Sequence, residues 1–416
     1  MTTTQRKVKV GVVGCGVVAT AYYLPYLMRH AELIAVCDLD PVRTAACVRL
    51  FGAREQYQDY GEMIRHADIE AVFVLTGPAT HARFTLMAVE AGKHVLLQKP
   101  MATNMADAHA IVEAVRKTGV KCLVEPSSNS PLDPQYRHLR ELVQRGVLGD
   151  IAAFTFHPGG MSQYHGSLGG NPYGEGAFFS ADSGGMVFDF PYAPSQIVSV
   201  LGGCRSISAR AKICLPERDI VPEHEYTRFL ENATDPDEVN YWDAVLNLPR
   251  SQHIVAGAPD NAVSVMEMSE GAIGTCYIGR LFQPVPKGFS DGGFKVYGVD
   301  GNLIMGMGHF ASILTSKREL LLLDKAHAHA YIDPEGWYHM SVLGDLAKAR
   351  WPKPVPGGFN YYHQSTQHLI DCICEDREPV VNVAWGRHIT EIMYGMLESA
   401  RTGQRYVMTT SPMGMV

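Results

Sequence analysis

Between the apolar run Val8 to Val13 and an amphipathic stretch holding Tyr22 to Met28 lies Gly14-Cys15-Gly16-Val17-Val18-Ala19, a G-x-G-x-x-A spacing. Glycines there let backbone amides close on a pyrophosphate, and the helix that follows adds partial positive charge. Asp38 ends the second apolar run, 24 residues after Gly14. A carboxylate so placed accepts hydrogen bonds from ribose hydroxyls and repels a 2′-phosphate, which favours NAD over NADP. Asp38 also reads as a turn residue, but Asp40, directly before Pro41, fits a helix N-cap better. Lys99 follows the apolar run Val95 to Leu97. A lysine ending an apolar strand is partly desolvated, which favours its neutral form and suits it to exchange a proton with a hydroxyl. Taken alone, the glycines also fit a ligand-free turn and Lys99 a solvated strand-end charge.

The elements that must position these residues alternate in period. Short β-rich runs recur at Val8 to Val13, Leu33 to Cys37, Ala71 to Leu75, Val95 to Leu97, Cys122 to Val124 and Ile151 to Phe156. Between them, Arg83 to Ala91, Met105 to Lys117 and Tyr136 to Arg145 have helical periodicity, followed by Gly92, Gly119 and Gly146 where helices end in left-handed turns. This alternation predicts an α/β fold beginning with a doubly wound, mainly parallel sheet. Past residue 150 the runs shorten, as in Ala262 to Met268, Ala272 to Ile278 and Phe294 to Val299, and Asp300-Gly301 marks a hairpin before Asn302 to Met305. A second domain with a large, mostly antiparallel open sheet is expected, closed by helices over Ser365 to Cys374 and Gly386 to Ala400. The boundary is expected at 1–126 for the nucleotide-binding domain and 127–416 for the second.

The composition narrows the partners. The 416 residues are 46% apolar and 19% charged with a net charge of −7, and no basic run occurs. Nucleic acid and anionic membranes are therefore disfavoured. No apolar stretch reaches the roughly 20 residues of a membrane span, and the N-terminus runs into a strand pattern, so a soluble, cytoplasmic protein is expected. Nine scattered cysteines without a C-x-x-C pair read as reduced, buried thiols. No H-E-x-x-H, zinc-spaced cluster or G-x-x-x-x-G-K-[ST] is present, so no metal is expected.

Several stretches along the chain resemble the Gfo/Idh/MocA family of glucose-fructose oxidoreductase, inositol dehydrogenase and rhizopine catabolism proteins. They are the glycine loop, Thr76-Gly-Pro78-Ala-Thr-His81, Ala91-Gly-Lys-His-Val-Leu-Leu-Gln98-Lys99-Pro100, Gly146-Val-Leu-Gly-Asp-Ile151, Ser183-Gly-Gly-Met-Val-Phe-Asp189, Phe294 to Gly301 and Ser399 to Gly403. The resemblance implies a Rossmann domain, then an α/β domain carrying the substrate site and often an oligomer interface. It implies NAD contacts from Gly14, Gly16, Val17, Val18, Asp38, Thr76, Pro78, His81, Gln98 and Lys99, with Lys99 beside the nicotinamide. His81, at a helix start beside the strand ends, also fits a neutral residue near an N-cap.

Two positions depart from the family pattern. Gln98 replaces the Glu of Glu-Lys-Pro, removing a charge near Lys99. The frame Asp-x-Gly-x-His-x-x-Asp reads Asp189-Phe-Pro-Tyr192-Ala193-Pro-Ser-Gln196, which keeps the first Asp and puts Ala193 at the His. Lys99 and Asp189 are the expected proton-handling pair, with Tyr192, one residue off the His frame, as a candidate donor or a buried aromatic. His157, Tyr164 and His165 begin a glycine- and aromatic-rich segment that reads as a substrate wall or as a surface loop. The resemblance implies an NAD-dependent oxidoreductase acting on a secondary hydroxyl of a sugar, glycoside or cyclic polyol, in a homodimer or homotetramer. A glycosidase or epimerase that returns its hydride, and a catalytically silent NAD-binding regulator, are the alternatives.

Overall fold

The computed structural model of the protein describes residues 6–127, 129–157, 179–185, 187–239, 248–279, 293–305, 310–321, 331–341 and 361–412. Its first sheet is built from β1 (Lys9–Val13), β2 (Glu32–Cys37), β3 (Glu55–Tyr57), β4 (Ala71–Val74), β5 (His94–Leu97) and β6 (Cys122–Val124). All five pairings are parallel, in the order β3-β2-β1-β4-β5-β6. The order reverses between β1 and β4, and that is where such sheets open a ligand crevice at their strand ends. Burial on both faces explains the unbroken apolar runs: every residue of β4 is buried.

The crossovers are α1 (Leu24–His30), α2 (Pro41–Phe51), α3 (Tyr60–His66), α4 (His81–Glu90) and α5 (Met105–Thr118). Asp40 caps α2 as its sequence predicts, its Oδ1 accepting from Val42 N at 2.9 Å. Gly119 closes α5 at φ +70, and Gly92 and Gly146 also lie in the left-handed region. The first helix departs from expectation: Ala19–Tyr23 makes wider π-type turns before α1 begins.

Among the described residues, the second sheet has ten strands. They are β7 (Ile151–His157), β8 (Cys204–Lys212), β11 (Asn261–Met268), β12 (Ile273–Gly279), β13 (Gly293–Gly298), β14 (Gly301–Met305), β15 (Phe310–Thr315), β16 (Tyr331–Ile332), β17 (Tyr338–Ser341) and β18 (Tyr406–Val407). β9 (Glu217–Ile220) and β10 (Gln252–Val255) form a separate ribbon. The order is β16-β17-β15-β14-β13-β7-β12-β11-β8-β18, antiparallel except between β7 and β12. The expected hairpin at Asp300-Gly301 joins β13 to β14 with Tyr297 opposite Asn302. One face buries Phe154, Met266, Cys276, Phe294 and Leu303, while Val263, Val265, Ile273 and Tyr297 stand exposed on the strands of this sheet.

The remaining helices are α6 (Pro134–Gln144); α7 (Tyr192–Leu201); α8 (Glu223–Asn232), which packs on α2; α9 (Tyr361–Cys374), which packs on α1, β5 and β6; and α10 (Val383–Thr402), which packs on β8. α9 and α10 start earlier than their apolar periodicity suggests. For α10 the cause is Asn382, whose Oδ1 accepts from Ala384 N and Trp385 N at 3.0 and 3.2 Å. Two contacts join the first sheet and its helices to later parts of the chain. Val124 N donates to Val381 O at 2.9 Å, and Arg43 of α2 donates to Thr227 Oγ1 and Glu223 O of α8, each at 2.9 Å. None of the nine cysteines is paired; seven are buried as expected, but Cys214 is half-buried and Cys374 exposed. No helix among the described residues is long and apolar enough to cross a membrane.

Candidate active site

The glycine loop leaves β1 with Gly14 at φ +93, its amide donating to Cys37 O at 2.8 Å. A Cβ on Gly14 would lie 2.8 Å from the carbonyl carbon and oxygen of Leu75. Only glycine lets the first loop nest against the end of β4. Asp38 is fixed from two sides: Cys15 N donates to its Oδ2 at 2.7 Å and Asp40 N to its Oδ1 at 3.0 Å. Each oxygen keeps a lone pair, and the half-buried carboxylate fits a diol, as a ribose would offer.

Gly16, Val18, Asp38 and Thr76 are half-buried and line the ends of β1, β2 and β4, whereas Gly14, Val17 and Pro78 lie beneath them, buried. Leu39, which the sequence did not single out, is 90% exposed beside Asp38. An apolar side chain standing free at that point offers a flat base something to rest on. Arg43 would be the natural partner for a 2′-phosphate, but it is buried and its guanidinium ion-pairs with Glu223 at 2.7 Å. The residues present therefore fit NAD.

His81 and Gln98, expected as cofactor contacts, are both buried and internally bonded. His81 has no exposed surface: its Nδ1 lies 2.7 Å from Pro100 O and its Nε2 2.9 Å from Thr76 O. Burial, the main cause, lowers its pKa, against the two carbonyls that raise it. His81 therefore ties the loop after β4 to the loop after β5. Gln98 is 5% exposed, and its amide is occupied by internal bonds to Lys99 N at 2.8 Å and Tyr23 Oη at 3.0 Å.

At the end of β5, Lys99 meets Asp189, 90 positions away in the chain. Nζ ion-pairs with Asp189 Oδ1 and donates to Asp189 O at 3.2 Å, with side chains 14% and 6% exposed. Tyr192, the first residue of α7, brings its ring centroid 5.5 Å from Nζ. Burial is the main cause of its raised hydroxyl pKa, and the nearby Lys99 opposes it. The proton-handling trio expected from sequence is therefore brought together. Ala193 is fully buried, and Gln196 reaches Met305 Sδ at 3.6 Å instead. His157 ends β7, exposed, with its ring centroid 6.4 Å from that of Tyr277. Tyr164 and His165 lie outside the described residues.

Sequence reasoning missed the residues behind Lys99. Tyr23 Oη donates to Glu125 Oε1 at 3.0 Å, and Tyr362 stacks on Tyr22 with centroids 4.4 Å apart while meeting Tyr23 edge-on at 5.2 Å. Tyr361, beside it on α9, has its hydroxyl in reach of both Tyr362 and Tyr192. One signal was available: Val124-Glu125-Pro126 repeats, at the end of β6, the strand-polar-proline form of Leu97-Gln98-Lys99-Pro100 at the end of β5.

Residues 8–125 match the model of an oxidoreductase family with an NAD-binding Rossmann fold. Over those residues the chain is similar to the NAD-binding domain of the Gfo/Idh/MocA family. Inositol 2-dehydrogenase 3 of Saccharopolyspora erythraea is 36% identical over 166 residues, covering 39% of this chain and 48% of that protein. A dTDP-3,4-didehydro-2,6-dideoxy-alpha-D-glucose 3-reductase of Streptomyces violaceoruber is 28% identical over 209 residues, covering 49% and 56%. The chain thus spans about half the length of the curated relatives it matches. The fold is shared from end to end with levoglucosan dehydrogenase solved with NADH and levoglucosan, at a TM-score of 0.69 and 18% identity over 97% of this chain and 100% of that one.

Proposed function

We propose that the protein is an NAD-dependent oxidoreductase transferring hydride between the nicotinamide and a secondary hydroxyl of a sugar, glycoside or cyclic polyol. The observation that carries this reading is the meeting of Lys99 with Asp189 and Tyr192 at the carboxyl end of the Rossmann sheet. Bound NAD supplies the hydride acceptor, and the protein supplies orientation and proton handling. Gly16, Val18 and Thr76 hold the dinucleotide along the crevice, with Asp38 on a ribose and Leu39 under the base. Lys99 Nζ exchanges the proton of the reacting hydroxyl, and Asp189 takes it or returns it. With Ala193 unable to carry a proton, Tyr192 is the second donor.

The similar proteins are named for, or were solved with, an inositol, a deoxysugar nucleotide and levoglucosan, which supports a cyclic polyhydroxylated substrate. In this reading residues 1–126 bind NAD and 127–416 bind substrate, with His157, Tyr164 and His165 as contacts. The exposed Val263, Val265 and Ile273 on the second sheet join copies into a homodimer or homotetramer.

The test is a single-turnover absorbance scan of NAD-loaded protein mixed separately with inositols, hexoses and glycosides. One class is expected to give reduced nicotinamide stoichiometric with protein. Silence across all three classes, with NAD shown bound by calorimetry, would overturn the dehydrogenase reading.

A further inference from the structure

We propose that Glu125 is a positioning residue for Lys99, supplying from the end of β6 the carboxylate that position 98 lacks; the inference rests on Lys99 being the proton-handling group. The sheet register brings the two positions together. Leu97 pairs with Val124, and Glu125 N donates to Leu97 O at 2.9 Å, so Glu125 leaves β6 alongside Gln98 leaving β5.

Tyr23, from the π-type turn after the glycine loop, fills the space between them. The bonds then run in one direction. Lys99 N donates to Gln98 Oε1 at 2.8 Å, Gln98 Nε2 donates to Tyr23 Oη at 3.0 Å, and Tyr23 Oη donates to Glu125 Oε1 at 3.0 Å. Because the phenol oxygen already accepts the amide, its proton must go to an acceptor, and Glu125 provides one. The other carboxylate oxygen accepts from Ser127 N.

Burying a carboxylate is expensive unless the charge is put to use or fully bonded. Glu125 is 3% exposed, and burial, the leading cause, raises its pKa against donors from Ser365, Ser127 and Tyr23. The groups facing it from neighbouring elements are the phenols of Tyr23, Tyr192 and Tyr361, each of which feels its charge. Tyr192 in turn lies under the Lys99 ammonium. Glu125 thus acts on Lys99 twice, through the fixed amide of Gln98 and through the field that one buried negative charge sets up in a dry corner.

The test moves the carboxylate instead of deleting it. Glu125→Gln, Tyr23→Phe, and the double variant Gln98→Glu with Glu125→Gln are each compared with wild type. The first readout needs no turnover: 13C-dimethylated lysine spectra, with the Lys99 signal identified by its loss in Lys99→Arg, follow the titration of that amine. Glu125→Gln is expected to lower the Lys99 midpoint by about one pH unit. The double variant is expected to restore it, and Tyr23→Phe, which keeps the ring and cuts the relay, to shift it by less.

The second readout is turnover with a substrate class identified as above. Glu125→Gln should lower kcat about tenfold with KM little changed and move the pH profile with the amine, and the double variant should recover both. An unshifted midpoint in a folded Glu125→Gln protein would overturn the proposal. So would a double variant that melts like wild type but stays shifted. If no substrate is found, the reading of the whole protein fails while the amine titration still decides this one.

Discussion

The two ends of the crevice are built by different means. At the dinucleotide end, position is set by backbone sterics: Gly14 at φ +93 lies where a side chain would strike Leu75, and Asp38, half-buried, hangs on the backbone amides of Cys15 in the glycine loop and of Asp40. At the proton-transfer end nothing is local. Lys99, Asp189, Tyr192, Tyr23, Glu125 and Tyr361 come from five separate stretches of chain and are held by side-chain bonds. Their two carboxylates are deeply buried, with Glu125 and Asp189 at 3 and 4% exposure. The first end fails through shape and the second through charge.

The largest effect should come from removing the lysine. Lys99→Met together with Asp189→Asn removes both members of the buried pair, so no carboxylate is left facing an apolar group. Catalytic efficiency is expected to fall roughly 10²- to 10⁴-fold, the usual worth of a positioned acid or base. NAD affinity, measured by calorimetry, should stay within about threefold, because the dinucleotide end is untouched. A comparable loss of NAD binding would break the comparison by showing that the two ends are one unit.

Gly14→Ala tests the other end. The new methyl would meet the backbone of Leu75 at 2.8 Å and the residue would keep a left-handed φ, a strain of order 1 to 3 kcal/mol. The loop must shift, and NAD affinity should fall at least about tenfold. Activity at saturating NAD should recover most of its wild-type value, since the Lys99 corner lies on another strand. If saturation restores nothing, the loop also sets nicotinamide placement.

The difference between the ends explains what the sequence could tell. Parallel strands buried on both faces read as continuous apolar runs, and the glycine loop, Asp38 and the Asp40 cap all lie within one βαβ unit, so local spacing determined them. The pairing of Lys99 with Asp189 was legible only through family resemblance, because their 90-residue separation carries no periodic signal. Tyr23 sits in an apolar run and looks like core, and for Glu125 the one signal was the strand-polar-proline form that the end of β6 shares with the end of β5. His81 left two readings open for a related reason. A histidine at a helix start near the strand ends can face the crevice or bridge its loops, and only the carbonyls of Thr76 and Pro100 decide which.

The smallest effect on turnover, and the sharpest on the scaffold, should come from Asp133. It caps α6, accepting from Gln135 N at 2.9 Å, and α6 packs on α7, which carries Tyr192. Burial is the leading cause that pushes its carboxyl up from 3.8 to about 6. The folded state therefore binds this proton more tightly than the unfolded chain does. Its contribution to stability is complete below about pH 4 and is lost as pH rises through about 6, where the buried group must ionise. An asparagine side chain in its place would accept the same cap bond without a charge. Asp133→Asn should flatten the fall in stability between about pH 4 and pH 6, and at pH 7.5 it should leave the variant more stable by about 1 to 3 kcal/mol in urea unfolding, with kcat unchanged. The matching change at the dinucleotide end, Asp40→Asn, caps α2 from a half-exposed position and should show the opposite sign. There burial raises the pKa, but the Thr227, Val42 and Arg43 contacts together outweigh it and lower the pKa, so ionisation stabilises the fold as pH rises. Slopes of the same sign in both variants would erase the distinction between the buried cap of α6 and the half-buried cap of α2.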